Sequence, residues 1–253
     1  MTDQLSLLLE TQLPRLPDTL RPMLARPAGA PFDSAGHIFE PSWGGLRALA
    51  FIGPAATPGA GDVRIVDVDG ADIGRALPEL AGLAVRVDAR SAVLDGELVA
   101  VDRRGRADGR ELATRIAGRP GRSVAFLAFD ILHLDGRSLL GMQLNRRRQL
   151  LRRVLRPGDE VVAVPAIANE GRALWDAVVA QGIAGVMARQ RTSPYLPGIR
   201  SRLWRFVPAV AAPGTSAATP DETGDEPGDG PANAPVIALI RRLPLMGDDE
   251  PPG

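Results

Sequence analysis

A chain of 253 residues with 45% hydrophobic content is long enough to bury a sizeable core, as one large domain or two small ones. It has no cysteine, which excludes disulfides and thiolate metal sites, and its two histidines, His37 and His133, are too few for a usual zinc cage. The formal net charge is zero, yet all 30 basic residues are arginine, and the chain contains no lysine.

The charges are unevenly spread. Residues 209–253 hold eight of the 30 acids and two of the 30 basic residues, so residues 1–208 carry a net charge of +6. A mildly basic body permits contact with a phosphate backbone without demanding it. No run approaches the roughly 20 apolar residues of a membrane span, and MTDQLSLLLETQLPRLP lacks the basic start and small-residue cleavage site of a leader. A cytoplasmic location with no membrane partner is expected.

In chain order, residues 1–20 predict a short helix around Leu5, Leu7, Leu8, Leu9 and Leu13, ended by Pro14 and Pro17. From about 37 to 136, short β-type runs alternate with turn residues: HIFEPSW, RALAFIG, DVRIVDVDG, AVLDGELVAVD and VAFLAFDILHLDG. The stretch Asn145–Arg156 reads as an amphipathic surface helix, with Leu150, Leu151, Val154 and Leu155 on one side and Arg146, Arg147, Arg148, Arg152 and Arg153 largely elsewhere. A second helix is expected over Glu170–Gln181, ending near Gly182, then strands at AGVMARQ and LWRFV.

Strands and helices mix without regular alternation, which predicts an α+β domain over 21–208. Beyond it, 209–253 is an acidic tail rich in proline and glycine, whose 209–234 part is expected to be disordered, with a short helix expected at 235–243. Charged groups flanked by apolar strand residues, such as Arg47 and Glu97, need partners, whereas Asp95 and Asp130 lie where carboxylates commonly accept backbone hydrogen bonds. Trp43 and Trp204 read as packing residues, and Tyr195, Pro197 and Gly198 as a turn. Arg103, Arg104, Arg106 and the arginines of the 146–153 helix, Arg147 among them, are candidates for contacts to DNA phosphate that read no sequence.

Four segments in order carry a resemblance. FEPSWGGLRALAF at 39–51 resembles the first motif of the adenylation (nucleotidyltransferase) domain of ATP-dependent DNA ligases, E-x-K-W-D-G-x-R, through Glu40, Trp43, Gly45 and Arg47. LDGELVAVD at 94–102 is similar to the family's D-G-E-L strand, and FLAFDILHLDG at 126–136 to the segment that lies against adenine. GIAGVMARQRTSPYLPGIRSRLWRF at 182–206 resembles G-x-E-G-V-M-A-K followed by Y-x-P-G-x-R-S and the closing tryptophan strand; with PMLARP at 22–27, coverage is about 22–208. The resemblance implies a nucleotidyltransferase fold with a nucleotide cleft between antiparallel sheets, ATP as cofactor, and DNA or a DNA-repair protein as partner.

The same resemblance shows what is missing. The nucleophilic lysine falls at Ser42 and the aspartate after it at Gly44; the metal-side glutamate falls at Ala184, a companion lysine at Arg189, and two closing basic positions at Phe206 and Pro208. The turn after the first motif, an S-R-N-G type in the family, is DVDG here, which weakens a grip on DNA backbone. A guanidinium stays protonated near neutrality and cannot replace the lysine amine. Ser42 would need an activating base, and neither histidine lies in the motif. The resemblance leaves Glu40, Arg47, Glu97 and Phe126 for nucleotide binding, with Phe126 on adenine and Glu97 on ribose or, weakly, on magnesium. Residues 209–253 are too short and polar for the oligonucleotide-binding barrel that usually follows this domain. These features predict a catalytically inactive pseudoligase that binds nucleotide, DNA or a protein in DNA repair or recombination. An active adenylyltransferase with a non-standard nucleophile, and a scaffold working through its tail, are the alternatives.

Overall fold

The computed structural model describes residues 15–102 and 106–209. Most of the helix expected over 1–20, the tail from 210 on with its 235–243 segment, and Arg103 and Arg104 lie outside them; residues 15–20 are not helical. The α+β class is borne out. Eleven strands are described: β1 Leu24–Pro27, β2 Ser34–Ser42, β3 Leu46–Ile52, β4 Val63–Asp67, β5 Ala92–Val99, β6 Ala125–Leu134, β7 Arg137–Ser138, β8 Val161–Ala163, β9 Ile167–Asn169, β10 Gly185–Gln190 and β11 Arg200–Pro208. Three α-helices, α1 Gly109–Ile116, α2 Leu144–Val154 and α3 Gly171–Ala180, join three short 3-10 turns between β4 and β5.

The strands form two sheets. One has the order β1-β11-β10-β2-β9, the other β4-β3-β5-β6-β7 with β8 beside β6. Pairing is antiparallel except for β1 with β11 and β6 with β8. The central strands β3, β5 and β6 bury both faces, which is why their sequences run apolar with little polar alternation. On β3, Leu49 and Phe51 enter a core shared with the first sheet and α3, while Ala48, Ala50 and Ile52 enter a second core beneath α1 and α2. On β6, Leu127 and Phe129 join the first core and Phe126, Ala128 and Ile131 the second.

Helix α1 was not expected, although its start is written in the sequence. Asp108 caps it by accepting from the backbone N–H of Arg110 and Glu111, both at 3.0 Å, and the acid three residues on, Glu111, accepts from Arg122 N at 2.6 Å. Its single buried apolar residue, Leu112, makes the helical period too weak to detect by pattern. Asp108→Ala leaves two first-turn N–H groups without that acceptor and should lower stability by about 1 kcal/mol, read as a shifted urea midpoint at unchanged slope.

Helix α2 corrects the reading of an arginine-covered surface helix. It buries Leu144, Arg147, Arg148, Leu151 and Val154. Two adjacent arginines therefore point inward, and Arg147, a candidate for DNA phosphate, is fully buried.

Candidate functional site: a cleft between the sheets

Strand register brings the site together. Glu40 on β2 lies opposite Met187 on β10, and Arg189, two residues further along, lies opposite Trp204 on β11, so all four face the same side of the first sheet. In the second sheet Arg47 on β3 lies opposite Glu97 on β5, which lies opposite Leu127 on β6. Phe129, two residues beyond Leu127, comes out on that face. Between the sheets is a cleft of about 160 Å³ whose wall includes Glu40, Ser42, Gly44, Arg47, Glu97, Phe129 and Arg189.

Three of the four residues expected to bind nucleotide are therefore brought together, and Phe126 is not. Phe126 points to the opposite face of β6, fully buried in the second core, because residues three apart on a strand face opposite sides. Its ring fills the space over Gly96, where an added Cβ would come 2.5 Å from Phe126 Cζ. The cleft's aromatic is Phe129: alternation along FLAFDIL puts it on the face opposite Phe126, and the register with β5 makes that the face of Glu97 and Arg47.

Each charged wall residue is already engaged. Arg47 donates to both Asp95 oxygens at 2.6 Å and to the Met23 carbonyl at 3.2 Å. Burial works against its charge, but Asp95 and the Tyr195 hydroxyl outweigh it and hold Arg47 above the usual arginine value. Tyr195, expected only as part of a turn, donates its hydroxyl to Asp95 at 2.7 Å and accepts from Met23 N at 2.9 Å. Asp130 is likewise satisfied by a buried side chain, Arg147, at 2.8 and 2.9 Å. Glu97 accepts from the backbone N–H of Gly45 at 2.5 Å and of Trp43 at 3.4 Å, tying down the 43–45 turn. Burial raises its pKa, and those N–H groups act in the opposite direction. The approach is close because position 45 has no side chain: a Cβ there would sit 2.0 Å from the Leu98 carbonyl oxygen.

Glu40 holds two cations. Arg148 Nη1 and Arg189 Nη1 each contact one of its carboxylate oxygens, and all three side chains are buried. Arg148 also donates to the carbonyls of Phe129 at 2.7 Å and Val164 at 2.6 Å. Arg189 instead lies against rings, its Cζ 4.0 Å from the Phe129 centroid and 4.7 Å from that of Trp204. Burial pushes Arg148 down to about 10 and Arg189 down to about 9, so both stay cationic at neutral pH.

The positions that the resemblance marks as lost are closely packed. Gly44 has φ +74°, and a Cβ on it would come 2.9 Å from the Ala184 Cβ, so the two positions that the resemblance aligns with acidic residues abut. Phe206 packs against Gly185, and Pro208 pairs with Gly185 across the sheet; neither lines the cleft. Among the described residues no group of three or more His, Asp or Glu is placed to hold a metal ion. Glu97 is occupied by backbone donors and Glu40 by two guanidinium groups, so this donor set does not suit a divalent cation. Arg106 is exposed and pairs with Asp102 at 3.0 Å. No described helix is long and apolar enough to cross a membrane.

Two mainly antiparallel sheets closing on such a cleft, with motifs in this order, define a nucleotidyltransferase fold of the ligase type. A family model described as ATP dependent DNA ligase domain matches residues 22–205, and the chain belongs to that family. The multifunctional non-homologous end joining DNA repair protein LigD of Mycobacterium tuberculosis is 35% identical over 188 residues, covering 74% of this chain and 24% of that protein. A probable DNA ligase of Saccharopolyspora erythraea is 33% identical over 195 residues, covering 74% of this chain and 37% of its own length. The solved structure of mycobacterial DNA ligase D complexed with ATP and MES superposes with a TM-score of 0.63 at 31% identity, covering 76% of this chain and 60% of that one. The chain thus spans about a quarter of the length of the LigD relatives.

Proposed function

We propose that this chain is a non-catalytic member of the DNA ligase family, a pseudoligase that serves DNA repair or recombination in the cytoplasm by binding DNA or a repair protein. The observation that carries the proposal is the wall of the cleft. Ser42 stands at the nucleophile position in a chain without lysine, and the cations beside it are committed to internal carboxylates.

Covalent adenylyl transfer needs a nucleophile that can lose its proton near neutrality. Arginine does not provide one. Serine would need a base. His37 Nδ1 is hydrogen-bonded to Ser34 near the far end of β2, and His133 lies on β6 opposite Val93, away from Ser42. Glu97 is engaged by the backbone of the 43–45 turn. Membership in the family, together with the end-joining role named for LigD, supports DNA or a repair protein as the partner.

The expected result is an unchanged intact mass after incubation with ATP and magnesium, measured by denaturing mass spectrometry. A mass increase of one adenylate, mapped to Ser42 or any other side chain, would overturn the proposal in favour of an active enzyme with a non-standard nucleophile.

A further inference from the structure

The family to which the chain belongs is ATP-dependent, and the cleft does not fit a purine nucleotide as it stands. A purine in such a cleft gains most by stacking on an aromatic face. Among the described residues lining it, Phe129 is the one aromatic. Its ring already carries the Arg189 guanidinium at 4.0 Å and that of Arg47 at 4.5 Å. The remaining space, about 160 Å³, is below the roughly 300–1,000 Å³ of ordinary small-molecule sites.

We infer that Arg189 is a built-in occupant of the cleft, a planar cation that covers Phe129 and makes the cleft refuse purine nucleotides. This deepens the reading of a binding domain and rests on it, since a non-catalytic domain has no need of an open nucleotide cleft. A guanidinium suits the role because it is planar, stacks on aromatic faces and is more weakly hydrated than an ammonium group. Glu40 anchors it from one side, and Trp204, its cross-strand neighbour, supplies a second ring at 4.7 Å.

Arg189 is also the cation whose removal the fold is best placed to accept. Its Nε is buried with no hydrogen-bond partner, whereas Arg148 is fixed by two backbone carbonyls. Without Arg189, Glu40 keeps Arg148 and the charges balance one to one.

The test is isothermal titration of adenosine, then of ATP without magnesium, into the wild type and Arg189→Ala at neutral pH, with thermal melts of each. Adenosine reads the stacking surface without phosphate charge. Removing the nearer of the two guanidinium groups on Phe129, with Arg47 left in its pair with Asp95, should tighten adenosine binding by about tenfold to a hundredfold. Arg189→Lys keeps a cation beside Glu40 but gives up the planar group, and should gain in the same direction; it serves if Arg189→Ala does not fold. Equal adenosine affinity in wild type and folded variant overturns the inference, and so does the absence of measurable binding to both. Neither outcome involves a covalent adduct, so failure of this inference is distinguishable from failure of the proposed function on which it rests.

Discussion

Replacing Glu40 by Gln is expected to lower stability by at least about 3–5 kcal/mol, because it leaves buried guanidinium groups without their carboxylate. Glu40 is the shared counter-charge of Arg148 and Arg189, and all three are removed from water. Pairs of this kind gain little over well-packed apolar residues, but breaking one is costly because the surviving charge cannot be hydrated. The loss is a large share of the 5–15 kcal/mol that holds a typical domain together. Glu40→Gln should therefore show a much lower urea midpoint or no folded baseline at all. Arg189→Ala should cost clearly less, since it leaves a matched pair. A Glu40→Gln variant within about 1 kcal/mol of wild type would mean that water reaches these groups and that the cleft is open.

The second large effect is expected at Arg147. Asp130 and Arg147 are both fully buried and joined by two hydrogen bonds, and Arg147 also donates to the Met142 and Ser193 carbonyls. Arg147→Met should cost about 3–5 kcal/mol, most of it the unpaired Asp130 carboxylate. Adding Asp130→Leu should recover a measurable part, giving a coupling energy between the two sites.

The pH dependence has a defined sign. Burial raises the Asp130 pKa even beside Arg147, so the folded state holds this proton more tightly than the unfolded chain does. Its contribution then becomes less favourable as pH rises from the unfolded carboxylate value, about 3.9, through the raised folded value. Loss of Arg147 widens that window, so the Arg147→Met deficit should shrink on acidification. A deficit independent of pH would assign the cost to lost packing rather than to charge.

Much of the fold was legible along the chain. The runs at 47–53, 92–102 and 124–136 are recognisable as strands because β-branched and apolar residues recur between turn residues. The short strands β1, β7, β8 and β9 were not legible, since two to four residues carry no period and their pairing is set by distant partners. In the site, Arg47 and Glu97 stood out because charge within apolar strands demands a partner, and Glu40 through its match to the family's first motif. Phe126 was misplaced because motif matching ignores which face of a strand a residue occupies.

The sequence by itself determined the chemistry that is unavailable: with no lysine, no side-chain amine can attack a phosphate, whatever the fold. Only the tertiary structure decided which arginines are surface and which are interior. On a helix read alone, Arg147 and Arg148 are long cations that water solvates best. What draws them inward is a buried carboxylate outside the helix, Asp130, 17 residues away, for the first and Glu40, 108 residues away, for the second. No local pattern records that pairing, because a buried charge is tolerated only where folding delivers its counter-charge.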